Sequence, residues 1–118
     1  MNPSLEAVTE WLNANSNQIL HISKVEEQDR DQVNLHLKRA ELQRRQVPSI
    51  DGYADMDTLL LEGDGIVITD GQEAPLPDKR FTIALDGLSE TKVNDGQVTL
   101  VTERGTYAIT VPSPQHLH

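Results

Sequence analysis

Cysteine is absent from the 118 residues, which removes a disulfide framework, a thiolate metal site and a cysteine nucleophile together. Aromatics are nearly as scarce: Trp11, Tyr53, Phe81 and Tyr107 are all there are. Single-stranded nucleic acid is usually held by stacking its bases on aromatic rings, and Trp11, Phe81 and Tyr107 are already claimed by the expected core. Long apolar runs are missing too. Leu59-Leu60-Leu61 and Ile66-Val67-Ile68 are the longest purely aliphatic ones, far short of the roughly 20 residues that cross a bilayer. Met1 to Trp11 carry Glu6 and Glu10 without Lys or Arg, so no secretory signal is expected, and the chain reads as a cytoplasmic protein of bacterial type.

Positive charge is also short. Ten Lys and Arg against nineteen Asp and Glu leave a net charge of −9, which repels phosphate backbones and disfavours nucleic acid as a general partner. The imbalance is local. Residues 28 to 45 hold Arg30, Lys38, Arg39, Arg44 and Arg45 against three acids, whereas residues 46 to 90 hold ten acids against Lys79 and Arg80.

What is present suits one folded domain. A chain of this length can bury enough apolar surface to fold without staples, and its Leu, Ile and Val come in ordered clusters, although the apolar share is only 36%. Ser4 can cap a helix over residues 4 to 14, with Glu6 in the first turn and Leu5, Val8, Trp11 and Leu12 on one stripe. Asn15-Ser16-Asn17 would end it, because Asn tolerates the left-handed backbone that closes many helices.

From Gln18 to Arg45 composition favours helix but alternation favours strands, and alternation is the stronger signal. Leu20 and Ile22 alternate with His21 and Ser23, and Val33, Leu35 and Leu37 with Asn34, His36 and Lys38. The expected hairpin pairs Leu20 with Leu37, Ile22 with Leu35 and Lys24 with Val33 around a polar loop at 27 to 30. Asp51 to Asp57 reads as a solvated connection. Gly63-Asp64 is expected to turn a hairpin pairing Leu61 with Ile66, and Asp70 to Asp78 to form a loop. A last hairpin around Arg104-Gly105 should place Leu100 opposite Ile109 and Thr102 opposite Tyr107. Between them the faces chosen by Leu88 and Val93 differ, which suggests a bulge or twist.

The fold class expected is therefore α+β, mainly β. One N-terminal helix packs on an antiparallel sheet or half-open barrel of six to seven strands made of successive hairpins. The domain is single, β-rich over 18 to 111, with a short tail at 112 to 118.

Chemistry is harder to find. The expected register sets His21 directly opposite His36, so that a divalent metal could bridge the two imidazoles; the plainer reading is two histidines on a solvent face. His116 and His118 lie in the tail. Lys38, Arg39, Arg44 and Arg45 form a basic cluster that suits a partner contact, or equally a charged edge that deters aggregation. Asp51, Asp55 and Asp57 lack the order of a calcium loop, and the glycines form no phosphate cradle and no serine-nucleophile turn. No catalytic set or cofactor site emerges. The reading that follows is a protein of uncharacterised role acting as a non-enzymatic protein-binding or regulatory module, with a homodimer as the expected assembly. Its rivals are a small-ligand or metal-assisted enzyme near His21 and His36, and an acidic inhibitor that imitates nucleic acid with the carboxylates of 51 to 78.

Overall fold

The structure, a computed structural model, describes residues 5–26, 29–44, 46–55, 57–85, 87–94 and 96–111. Helix α1, Leu5–Ala14, buries Val8 and Leu12 completely and sets Leu5 and Trp11 half-buried against the same core. Its end is the expected one: Asn15 donates its backbone N–H to the Leu12 carbonyl, and Asn17 adopts a left-handed φ of 69°.

Strands follow in order: β1 Ile19–Glu26, β2 Asp29–Gln43, β3 Gln46–Ser49, β4 Gly52–Asp55, β5 Thr58–Thr69, β6 Gln72–Pro75, β7 Arg80–Ala84, β8 Glu90–Val93, β9 Gln97–Thr102 and β10 Gly105–Thr110. Eight form one antiparallel sheet in the order β6-β5-β2-β1-β10-β9-β8, with β7 paired to β5; β3 and β4 make a separate two-stranded hairpin. The sheet does not close, but it curls far enough that both β2 and β8 pack on α1. Leu20, Ile22, Val33, Leu35, Leu59, Leu61, Val98, Leu100 and Ile109 fill the concave side with the helix. No helix among the described residues is long and apolar enough to cross a membrane.

Two hairpins close more tightly than their apolar patterns suggest. β1 pairs Leu20 with Leu35, Ile22 with Val33 and His21 with Asn34, two residues out from the expected register. In the C-terminal hairpin Leu100 stands opposite Tyr107 and Ile109 opposite Val98, with Thr102 paired to Gly105. A shift of two keeps every side chain on its face, so burial is unchanged while each cross-strand neighbour is replaced. The cause in the second hairpin is local. The Thr102 hydroxyl accepts from the Arg104 N–H and donates to the Gly105 carbonyl, so Glu103 and Arg104 alone make the turn.

Gly63 and Gly65 do not turn the chain. β5 runs straight through them, pairing Gly63 with Leu37 and Gly65 with Leu35 of β2. A Cβ built on Gly63 would lie 2.1 Å from the His36 carbonyl oxygen, and one on Gly65 2.4 Å from that of Asn34, so glycine is required here by close backbone approach. Beside them β2 slips register between Leu37 and Arg39. Asn13 pins this irregularity to the helix by donating Nδ2–H to the Ala40 carbonyl and accepting the Ala40 N–H on Oδ1.

Three further expectations change. The connection around Asp51 contains the β3–β4 hairpin, the loop after Asp70 contains β6, and β8 pairs with β9 without a bulge because Leu88 precedes the strand. Glu27, Gln28 and the tail with His116 and His118 lie outside the described residues.

Candidate functional site: the convex face of the sheet

Alternation gives each central strand a second face, turned away from the helix. On β1 it carries Ile19, His21, Ser23 and Val25; on β2 Arg30, Gln32, Asn34 and His36; on β10 Thr106, Ala108 and Thr110; on β9 Gln97, Thr99 and Val101; and on β5 Ile66 and Ile68. None of these residues is buried. Ile19 is 58% exposed and Val25 37%, the two exposed large aliphatics of the main sheet. β1 is the middle strand of the curl, so its outward residues run along the crest of a convex surface.

Charge is confined to the margins of this face. Glu90 and Lys92, paired at 3.1 Å, lie on the β8 edge, Glu73 on the β6 edge, Arg30 opposite Val25 near the end of β1, and Asp64 beyond His36. Across the middle run hydroxyl, amide, imidazole and small apolar groups, an unusual stretch in a chain that is 25% charged.

Below the slip in β2 the same surface changes character. Arg39 pairs with Glu41 at 2.8 Å and with Glu62 at 3.0 Å, and Arg80 reaches Glu62 at 3.9 Å. Lys38 and Lys79 both face Asp64, at 3.9 and 3.5 Å, and Arg44 holds Glu6 at 2.7 Å. Three members of the basic cluster therefore already face acids of their own chain; Arg45 lies outside the described residues. Glu62 and Asp64, two of the acids that a nucleic-acid mimic would present, are engaged in the same way.

His21 and His36 share the convex face but are not opposed. His21 faces Asn34, and its Nδ1 lies 2.8 Å from Asn34 Oδ1, while His36 pairs with Ile19. The two imidazoles therefore sit on a diagonal, with β-carbons roughly 7 Å apart by sheet geometry. No cluster of three or more His, Cys, Asp or Glu that could hold a metal ion occurs among the described residues. One shifted lysine stands at the concave side's rim: burial draws the Lys24 pKa down, but the charge of Tyr107 and the hydrogen bond and charge of Glu26 outweigh it and hold the group above its ordinary 10.5.

A cleft of about 470 Å³ runs beside the helix, lined by Thr9, Asn13, Ala14 and Leu42 and rimmed by Glu6 and Glu10. It is mostly apolar and wide open, and it lacks the convergent polar groups of a small-molecule site. Sequence reasoning found the residues of the convex face only as the polar halves of alternating strands. Their union into one neutral surface depends on pairings between segments up to 89 residues apart, such as the Thr110 hydroxyl donating to the His21 carbonyl.

Comparison with known proteins adds relationship without activity. A family model described as "YmzB-like protein" matches residues 1–114. The uncharacterized protein YmzB of Bacillus subtilis (strain 168) is 30% identical over 110 residues, covering 88% of this chain and 92% of that protein. No solved structure matches.

Proposed function

This chain belongs to the YmzB-like family, and we propose that it is a non-enzymatic protein-binding module of the bacterial cytoplasm whose contact surface is the convex face of its sheet. The observation that carries this reading is the neutral middle of that face. Solvated sheet faces are commonly polar and charged, as this one is below the slip, and a stretch without charge that exposes Ile19 and Val25 is the composition of a contact surface.

The test is a photo-crosslinking amino acid placed at Ser23, on the crest, and in a separate variant at Asp70, off the face. Covalent protein adducts formed in living cells from position 23 and not from position 70 support the reading; none from position 23 overturns it. A second reading, metal binding at His21 and His36, draws on their shared face. Zinc-dependent shifts of both histidine resonances, with that of His36 abolished in His21→Ala, would replace the first reading with that one.

A further inference from the structure

We propose that the convex face binds a second copy of this chain, with the β1 strands of the two molecules stacked antiparallel across a two-fold axis. This rests on the reading of the face as a protein contact and names the partner.

Three observations converge on it. The first is the placement of the exposed aliphatics. Ile19 and Val25 lie on the same face of the same strand, about 20 Å apart, and equidistant from its midpoint at Ile22. A two-fold axis lying in the contact plane across β1 at that midpoint carries Ile19 of one molecule onto Val25 of the other, twice. His21 then meets Ser23 of the second copy, and β2 lies over β2. A symmetric interface requires such self-complementarity.

Charge is the second. Any partner of the same sequence brings a net charge of −9, so a contact between copies is tolerable only where acids are few, as they are along this crest. The same operator brings the row containing Val25 and Arg30 over the row containing Ile19, His36 and Asp64. Arg30, which has no ion-pair partner among the described residues, thereby comes within one strand spacing of Asp64 of the second copy, which faces Lys38 and Lys79 of its own chain but keeps 56% of its side chain exposed. Acid meets base at both ends of the contact. The third observation is shape: two convex sheets can touch only along their crests, and β1 is the crest of this one.

Shape also limits strength. Three strands over the length of β1 offer roughly 350 Å² per molecule by strand spacing and rise, against about 800 Å² in a standard interface. The dimer is therefore expected to be weak and to dissociate on dilution. Its edges take no part. β6, β7 and β8 are only four or five residues long, and Pro75 and Pro77 flank the outer margin, so strand addition is blunted.

The natural absence of cysteine makes the test clean. Ile19→Cys and Val25→Cys are prepared separately, treated with a short bismaleimide alone and as a mixture, and followed by sedimentation velocity in parallel. The expected result is a concentration-dependent dimer, several-fold more crosslinked product in the mixture than in either variant alone, and monomer only when Ser23→Arg is introduced. Equal crosslinking within each single variant overturns the antiparallel stacking. A monomeric protein at millimolar concentration overturns the dimer, and if position 23 still gives adducts to another protein in cells, the binding reading survives without it.

Discussion

The two faces of the main sheet are made by the same strands at alternate residues, and they spend those residues in opposite ways. On the concave face Leu20, Ile22, Val33, Leu35, Leu100 and Ile109 are essentially removed from water, whereas one position along each strand the convex face holds His21, Ser23, Asn34, Thr99 and Ala108 partly open to it. The difference teaches where folding ends and recognition begins: stability is concentrated on one side, and residues free of that duty collect on the other. Substitution can set the two apart.

The largest effects belong to the concave side and its supports. Leu100→Ala should cost about 2 to 5 kcal/mol in urea unfolding, because Leu100 is fully buried and the helix and strands around it cannot collapse into the void. Gly63→Ala should cost at least as much as an ordinary core truncation, since its Cβ would strike a backbone oxygen at 2.1 Å. A Gly63→Ala protein of unchanged stability would show that β5 and β2 are not this close.

The convex side should answer oppositely. Ser23→Arg, a half-exposed outward position, is expected to leave stability within about 0.5 kcal/mol of the parent while abolishing self-association by sedimentation. Destabilisation by Ser23→Arg comparable to Leu100→Ala would erase the distinction between the faces. Salt sharpens it further. Because the two copies repel through their net charge and meet chiefly through neutral residues, with Arg30 and Asp64 only at the ends, raising salt should loosen the dimer little, whereas a contact made by the basic and acidic segments would dissociate.

Much of this division was legible in the sequence, and what was not had physical reasons. Alternation assigned Leu20, Ile22, Leu35, Leu100 and Ile109 to one face correctly, because period-two patterning survives any even error in register. Register itself failed twice by two residues, because apolar matching is satisfied equally by pairings two residues apart. The glycines misled for a related reason. Gly63 and Gly105 look like turn residues, but both lie in strands where a neighbouring backbone comes within 2.5 Å of where a Cβ would stand: the His36 carbonyl for Gly63 and the Val25 carbonyl for Gly105. Nothing in the order of residues signals such an approach. The opposed charge of residues 28 to 45 and 46 to 90 is largely satisfied within the chain, since Lys38, Arg39 and Arg44 face acids of their own chain.

Smaller effects come from the ion pairs below the slip. Glu62, bridging Arg39 and Arg80, is the less exposed of the two acids that face two bases there, with about a third of its side chain exposed. Glu62→Gln should cost less than about 1 kcal/mol, and the difference should shrink in high salt. A cost approaching that of Leu100→Ala would mean that the charged patch, and not the concave face, carries the fold.

The smallest effect expected is also the one with the clearest sign. Lys24 belongs to the concave side but stands at its rim, its ammonium 5.8 Å from the centre of the Tyr107 ring and 3.3 Å from Glu26. Burial alone would lower its pKa; the attraction of Tyr107 and Glu26 prevails, and the folded value lies above the ordinary one. A lysine whose pKa is raised by folding stabilises the folded state fully while the pH is below the unfolded value near 10.5, and that contribution is lost as the pH climbs through the folded value. Lys24→Met removes the titration but retains most of the aliphatic stem. The gap in unfolding free energy between parent and variant should therefore be constant from pH 7 to pH 9 and close as the solution becomes more alkaline. A gap that widens above pH 10 would mean that burial outweighs the two partners, and that the rim of the concave face already behaves like its interior.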